Sequence, residues 1–455
     1  MNDLKFAFRQ RLKNPGFSAV AALTLALGIA PAAVSVKSAQ PVPTGAIERI
    51  KREAFENSQV MDYAFQIAEL HGPRFTGSPG FQAAGNWVVD RLRGFGLENV
   101  RKETIPWGRG WSCQKFSADM LEPQYAPLVG LPPPPSAEWP VSLFAEVRRC
   151  AIKLNQFFKD EGALALIKAG RGEGGSVVAF GPDWAREGEV PPPLPTAFLT
   201  KEHYNRIVRL LERQVPVRLA IEVKAQFHQD PAAAFNVTAE IRGTSKKNEL
   251  VIVGAHLDSW TGGTGATDDA AGCAVLMEAM RILKALDLKP DRTIRLTLWA
   301  GHEGGGDHAG SKRHIDLSFG ADAPPGNDRV VCYLNLDNGS GKIRGVYLPE
   351  RDAEFRPLFK TWFAPLADLG AATIAPIRVP GGSDHVWFYK AGLPAFMLMQ
   401  DPLDYRSRTH HSNMDLYDHL QADDLKQAAA VVACLAYQAA VETSLFPAPH
   451  RGNTR

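Results

Sequence analysis

The sequence lacks the cysteine patterns of a zinc ribbon or a disulfide-stapled domain. Its five cysteines are scattered along 455 residues, and no two of them form a C-x-x-C pair. Isolated thiols of this kind are usually buried as small apolar side chains. An excess of one charge is also missing, because the formal net charge is only +2. The composition therefore predicts no nucleic-acid partner, and the length allows two globular domains.

Long apolar runs are rare, and the clearest one lies near the N-terminus. Residues 17–36 carry no charge and follow a stretch that contains four cations. This length can cross a bilayer as a helix, and the cations favour a cytoplasmic start. A cleaved signal ending near Ala30 and a buried helix are the alternatives. We expect residues 1–40 to be an uncleaved membrane anchor or signal segment, and either of these places the rest of the chain outside the cytoplasm.

The stretch HEGGGDH at residues 302–308 lacks the spacing of the zincin motif H-E-x-x-H. In that motif the two histidines lie four residues apart and share one helical face. Here the histidines are six residues apart, with three consecutive glycines between them. Each glycine costs about 1 kcal/mol in a helix relative to alanine. The sequence therefore predicts a loop at this point and excludes a zincin helix.

The chain from about residue 235 onward alternates between apolar strands and amphipathic helices. This alternation predicts an α/β sandwich around a mixed, largely parallel sheet. Residues 45–114 and 226–445 are expected to form this main domain. Proline-rich breaks bound the region between them, so residues 115–225 are expected to form a smaller inserted domain.

Polar side chains that can bind metal follow five of the predicted strands and loops. In open α/β sheets the ligand site lies beyond the carboxyl ends of the strands, and imidazole together with carboxylate suits zinc. Each residue alone has an ordinary explanation, such as a helix N-cap for Asp268 or a turn for Asp258. Their conjunction on one sheet edge predicts a metal site. The residues are His256, Asp258, Asp268, Asp269, His302, Glu303, Asp337, His410 and His411.

Several motifs in this part of the chain resemble those of the M28 family of zinc exopeptidases, and its carboxypeptidase Q-like (plasma glutamate carboxypeptidase) branch in particular. They are "VGAHLDSWTGGTGATDDAAG", "YLNLDNG", "GGSDHVWF" and "THHSNMD", and they occur in the family order. The resemblance implies a three-layer α/β/α zinc-exopeptidase sandwich as the catalytic domain. It also implies a protease-associated-like domain inserted at 115–225.

The resemblance further implies two zinc ions per chain and assigns five ligands to them. His256 and Asp337 would bind one ion, and Asp268 would bridge both. Glu303 and His411 would complete the second site.

Three neighbouring residues receive supporting roles by the same resemblance. Asp258 would hydrogen-bond His256 and fix its tautomer, which makes it part of the catalytic machinery. Asp384 and His385, in "GGSDH", would line the substrate pocket.

The sequence departs from the family pattern at His302. The family usually has two adjacent glutamates, of which the first is the general base and the second a zinc ligand; here the pair reads His302-Glu303. Neutral imidazole can accept a proton near pH 7, so His302 is the expected catalytic base. Alternatively, His302 binds a zinc ion, or Asp307 or His308 of the lengthened glycine loop takes over.

The expected function is that of a di-zinc exopeptidase acting on dipeptides or short peptides, slowed by the changed base. The alternative is a non-catalytic protein that keeps the M28 fold and binds metal or peptide. Glutaminyl cyclisation on the same scaffold is disfavoured, because the cyclases use a single zinc. Expected partners are short peptides, the membrane through residues 17–36, and a second copy in a homodimer.

Overall fold

The computed structural model describes residues 44–134, 145–179, 194–230, 233–304, 308–319, 328–444 and 446–447. The predicted anchor at 17–36 lies outside these ranges and stays a prediction. None of the helices within them has both the length and the apolar character needed to cross a membrane.

The described residues form fourteen strands and ten α-helices. The strands are β1 (Glu98–Thr104), β2 (Gly110–Glu122), β3 (Ala126–Pro127), β4 (Gly130–Leu131), β5 (Leu166–Ala169), β6 (Thr196–Leu199), β7 (Arg218–His228), β8 (Phe235–Ile241), β9 (Lys246–His256), β10 (Arg292–Trp299), β11 (Arg329–Asn335), β12 (Ile343–Pro349), β13 (Thr373–Ile377) and β14 (Ala395–Gln400). The helices are α1 (Thr44–Glu56), α2 (Val60–Ala64), α3 (Pro79–Gly94), α4 (Ala145–Asp160), α5 (Lys201–Glu212), α6 (Ala271–Ala285), α7 (Ala309–Ser318), α8 (Arg356–Phe363), α9 (His385–Lys390) and α10 (Ala422–Val441).

The main sheet has the strand order β1-β8-β10-β9-β11-β14-β12-β13 within the described chain. Its four central strands, β10, β9, β11 and β14, run parallel to one another. The flanking strands β8 and β12 pair antiparallel to that centre. All residues of β8 and β10 are buried, as expected when both faces of a sheet are covered. The predicted mixed, largely parallel sheet is confirmed.

Alternate residues of β9 separate the two hydrophobic layers. Val251 and Val253 join the large core beneath α3, α6 and α10, whereas Leu250 and Ile252 join a smaller core on the other face. That smaller core includes Phe388 of α9. Because side chains in a strand alternate between its faces, one apolar run serves both layers. The result is the three-layer sandwich predicted above.

The residues that lie between β1 and β8 in the sequence form two smaller, three-stranded sheets. Their orders are β3-β2-β7 and β4-β6-β5. The long strands β2 and β7 pair antiparallel from Gly110 opposite His228 to Glu122 opposite Arg218. The expected boundaries of 115–225 therefore cut through both of these strands. Residues 39–455 cluster as one compact unit, so a separate protease-associated-like domain stays a prediction.

The N-terminal helical stretch is interrupted after Glu56. Helix α1 ends at Glu56, and α2 begins at Val60 before a π-helical turn at Phe65–Leu70. At the break, the Val60 N–H donates a hydrogen bond to Ser58 Oγ (3.3 Å). Serine competes for backbone hydrogen bonds in this way, and it therefore favours a helix start over a helix interior.

Arg74 joins the loop that follows β9 to the N-terminal helices. This side chain is fully buried, and its guanidinium donates four hydrogen bonds to backbone carbonyls. The acceptors are the oxygens of Leu257 (2.9 Å), Ile67 (3.1 Å), Thr264 (2.8 Å) and Gly265 (3.0 Å). The planar fork of donors holds several loop carbonyls at fixed positions, which an ammonium group cannot do.

We predict that Arg74→Lys lowers the free energy of unfolding by about 2–4 kcal/mol, because buried carbonyls lose their donors. Denaturant unfolding monitored by circular dichroism measures the change. Arg101→Lys is the control, since Arg101 is exposed and donates only to Asn99 O at 3.4 Å. Equal stability of both variants would contradict the role assigned to Arg74.

Candidate metal centre

The carboxyl ends of three central strands bring the predicted ligands to one place. His256 is the last residue of β9, Glu303 follows β10, and Asp337 follows β11. Asp268 lies in a π-helical turn just before α6, and His411 lies between β14 and α10. All five side chains meet on one edge of the sheet, as the position of ligand sites in α/β folds predicts.

Asp268 faces two histidines, one with each carboxylate oxygen. Its Oδ1 lies 3.1 Å from His256 Nε2, and its Oδ2 lies 3.4 Å from His411 Nε2. Each histidine has a second carboxylate beside it. Asp337 Oδ1 is 3.6 Å from His256 Nε2, and Glu303 Oε2 is 3.3 Å from His411 Nε2. The arrangement is two imidazole–carboxylate groups that share one central aspartate.

The donor set of this cluster fits a cation. Asp268 Oδ2 and Glu303 Oε1 are buried and have no hydrogen-bond donor among the residues that the structure describes. An ionised carboxylate only accepts hydrogen bonds, so buried oxygens without donors need another positive partner. Imidazole nitrogens and carboxylate oxygens at such mutual distances are suited to zinc.

The electrostatics of the cluster show the same demand for positive charge. Burial lowers the pKa of His411, but Glu303 and Asp268 outweigh burial and raise the pKa to about 9. Burial likewise opposes protonation of His256, whereas Asp337, Asp258 and Asp268 raise its pKa well above the ordinary value. A metal ion takes the place of such protons when it binds.

Asp269, rather than Asp268, accepts the backbone hydrogen bond at the start of α6. Its Oδ1 accepts a hydrogen bond from Gly272 N–H (3.1 Å), and its Oδ2 accepts one from His256 N–H (3.2 Å). Because Asp269 occupies the backbone donors, Asp268 is left to face the two histidines.

Asp258 supports His256 through its backbone. The His256 Nδ1 atom lies 2.9 Å from the Asp258 carbonyl oxygen and 3.7 Å from Asp258 Oδ1. The other carboxylate oxygen accepts hydrogen bonds from Thr76 Oγ1 (2.7 Å) and Glu303 N–H (3.0 Å). The chain turns directly after β9, so the backbone oxygen comes closest to the ring. The tautomer with a free Nε2 is therefore fixed, while the carboxylate positions Glu303.

His302 stands beside the cluster and makes a hydrogen bond that the sequence did not indicate. Its Nδ1 atom lies 2.9 Å from Asp384 Oδ2, and its Nε2 atom lies 3.8 Å from Asp337 Oδ2. The ring stacks on His256, with centroids 3.9 Å apart and planes 7° apart. Burial and His256 lower the pKa of His302, but Asp337 and Asp384 outweigh them and raise it to about 9.

The two residues expected to line the pocket lie in different surroundings. His385 lies on the cavity wall, as expected, and burial lowers its pKa to about 4. Asp384 instead lies behind His302, where it is 1% exposed and holds its second oxygen 2.5 Å from Ser311 Oγ. Asp384 immediately precedes the first turn of α9, so the two consecutive side chains point in different directions.

The glycine loop places His308, one of the two alternative bases, close to His302. The ring centroids of His302 and His308 are 4.7 Å apart in an edge-to-face arrangement. Asp307 lies outside the described residues. Residues 300–304 form no helix, and α7 begins at Ala309, so the described part of the predicted loop is non-helical.

Trp260 and three arginines lie near the cluster and were not predicted from the sequence as site residues. The indole of Trp260 stacks on His411, with ring centroids 5.0 Å apart. A cavity of about 700 Å³ opens over the cluster and has three arginines on its wall, Arg171, Arg406 and Arg408. Arg406 and Arg408 come shortly before the paired histidines in the sequence, and this position was an available signal. Arg171 follows β5 and pairs with Val178 in an isolated bridge, and no local motif marks it.

Comparisons with known proteins agree with this geometry. Residues 236–436 match the family model described as Peptidase family M28. Carboxypeptidase Q of Bos taurus is 29% identical over 417 residues, which cover 84% of this chain and 85% of that protein. The crystal structure of a peptidase M28 precursor from Shewanella amazonensis has a TM-score of 0.69 and 24% identity, covering 90% of this chain and 98% of that one. BSAP, a zinc aminopeptidase from Bacillus subtilis, has a TM-score of 0.55 and 17% identity, covering 84% of this chain and 97% of that one.

The fold and the sheet-edge cluster define a hydrolase of the metallo-exopeptidase class. The chain carries a peptidase family M28 domain at residues 236–436, and over 84% of its length it is similar to carboxypeptidase Q proteins.

Proposed function

We propose that this metallo-exopeptidase uses two zinc ions and hydrolyses dipeptides or short peptides. The supporting observation is Asp268, whose two oxygens each face a separate imidazole–carboxylate group. A carboxylate shared in this way is the usual means of holding two metal ions close together. Similarity to a protein named as a zinc aminopeptidase supports the choice of metal.

Five residues would hold the two ions. His256 and Asp337 would bind the first together with one oxygen of Asp268, and His411 and Glu303 would bind the second together with the other oxygen. Zinc in such a site supplies Lewis-acid polarisation of the peptide carbonyl and of a water molecule.

His302 is the proposed proton acceptor rather than a sixth ligand. Imidazole binds metal along a lone pair that lies in the plane of the ring. Because the rings of His256 and His302 are stacked nearly parallel at 3.9 Å, one ion cannot lie in both ring planes. A cation bound at Asp337 also weakens the main carboxylate that raises the pKa of His302. A bound cation would thus lower the pKa of His302 and leave its imidazole free to accept a proton.

The cavity wall supports a substrate that carries a negative charge. Arg406 and Arg408 lie on the turn Tyr405–Thr409, and Arg171, which follows β5, also lines the cavity. Two zinc ions carry four positive charges against three carboxylate ligands, so the loaded site adds a net positive charge. An arginine binds a carboxylate through two parallel hydrogen bonds. The proposed substrates therefore present a free terminal carboxylate, as dipeptides do.

Replacement of the usual glutamate by His302 is the observation that favours the alternative, a non-catalytic peptide-binding protein.

We predict that the zinc-loaded protein hydrolyses a panel of unblocked dipeptides. His302→Gln is expected to lower kcat by roughly 10²–10⁴-fold, because the proton acceptor is lost. Chromatographic detection of the released amino acids measures both rates. If the wild type is inert on every dipeptide while still binding zinc, the non-catalytic function gains.

We also predict that the enzyme prefers a dipeptide to the corresponding dipeptide amide. Replacing Arg406 and Arg408 together by Ala is expected to lower kcat/KM for the free dipeptide roughly tenfold, because charge-assisted hydrogen bonds are lost. The amide should be little affected. Arg93→Ala on α3 is the control, since Arg93 lies outside the cavity wall. An equal loss on both substrates would contradict carboxylate recognition.

The membrane anchor, the extracytoplasmic location and the homodimer remain proposals that accompany this function.

A further inference from the structure

His302 is held by two contacts that together fix both its ring plane and its proton. Stacking on His256 at 3.9 Å and 7° fixes the plane of the ring. Asp384 Oδ2 lies 2.9 Å from Nδ1 and fixes the proton. An ionised carboxylate can only accept a hydrogen bond, so Nδ1 carries a hydrogen. The lone pair of neutral His302 then resides on Nε2, on the side of Asp337 (3.8 Å).

Asp384 itself is placed where a carboxylate is costly. Its side chain is 1% exposed, and within the described residues it forms no ion pair with any lysine or arginine. Its polar partners there are His302 and Ser311, whose Oγ lies 2.5 Å from Asp384 Oδ1. Burying a carboxylate is unfavourable unless hydrogen bonds or a paired charge compensate. Both hydrogen bonds of this aspartate thus serve the orientation of one ring.

We infer that Asp384 is a positioning residue for His302, and that Ser311 holds Asp384 in place. Together they impose the Nδ1–H tautomer and direct the Nε2 lone pair of His302 toward the metal-ligand cluster. In this chain a histidine–aspartate pair thus takes the place at which the family resemblance implies a single glutamate. This inference rests on the proposed function, in which His302 accepts the proton.

The pair completes a balanced proton transfer. Nε2 of His302 accepts a proton from water while the water oxygen bonds to the peptide carbonyl carbon. The hydrogen on Nδ1 stays in its bond to Asp384, whose negative charge stabilises the imidazolium. The same proton passes from Nε2 to the departing amine nitrogen as the carbon–nitrogen bond breaks. No oxidant or further reactant is needed.

A purely structural role of Asp384 makes a different prediction from a positioning role. Asp384 also connects two helices, because it precedes α9 and contacts Ser311 of α7. If it only holds these helices together, its loss affects activity whatever residue occupies position 302. If it acts through His302, its loss matters only while histidine is present there.

The test is a double-mutant cycle in the full-length, zinc-loaded protein, with Asp384→Asn, His302→Gln and both together. In the presence of His302, Asp384→Asn is expected to lower kcat roughly 10²-fold or more, because the asparagine amide also favours the other tautomer. KM should change far less. In the His302→Gln background the same substitution should change kcat by no more than about twofold.

A second measurement reports the tautomer without relying on activity. Nitrogen-15 spectra of the histidine-labelled, zinc-loaded protein should show hydrogen on Nδ1 of His302, with the signal assigned by its loss in His302→Gln. In Asp384→Asn the Nε2–H form should become substantial. Ser311→Ala is expected to give a smaller loss of kcat in the same direction. It also keeps the inference testable if Asp384→Asn does not fold.

Asp352→Asn is the matched control, since Asp352 is equally buried and pairs with Arg351. Its kcat should equal that of the wild type. The inference is overturned if Asp384→Asn keeps its kcat, if it loses the same factor in both backgrounds, or if wild-type His302 carries its hydrogen on Nε2. A wild type that hydrolyses nothing would count against the proposed function alone, because the spectra still decide the tautomer.

Discussion

The arrangement of the metal-ligand cluster depends on Asp268, which turns one oxygen toward His256 and the other toward His411. Two imidazoles and three buried carboxylates meet at this spacing. The carboxylates repel one another, and some of their oxygens have no partner, unless positive charge is placed among them. Neighbouring groups therefore serve to hold the acceptors still. Asp269 accepts a hydrogen bond from Gly272 N–H at the start of α6, and Asp258 accepts one from Glu303 N–H.

The fold delivers these groups because it stops adjacent parallel strands at one level. His256, Glu303 and Asp337 come from the ends of β9, β10 and β11, which are neighbours in the sheet. Arg74 then holds the loop after β9 through three of its carbonyls and joins it to Ile67 O of the N-terminal π-helical turn. Side-chain positions at the cluster are thus set by rigid strands and one buried cation. The cavity above them is left to admit substrate.

Much of this arrangement could be predicted from the sequence. Apolar runs followed by His256, Glu303 and Asp337 indicated both the strands and their common edge, because the position of ligand sites in α/β sheets is a general rule. Contacts made by tertiary packing could not be predicted. No local sequence pattern reveals that Asp384 contacts His302, 82 residues away. Nor does one reveal that His256 contacts the backbone oxygen of Asp258 more closely than the Asp258 carboxylate.

We propose that the sheet edge holds a pair of zinc ions that share Asp268. Elemental analysis of purified, zinc-equilibrated protein tests it directly, with Glu303→Ala measured in parallel. We expect close to two zinc ions per wild-type chain and close to one in the variant, since Glu303 Oε2 lies 3.3 Å from His411 Nε2 in the second proposed half of the cluster. One ion or none in the wild type, or an unchanged count in Glu303→Ala, would contradict it.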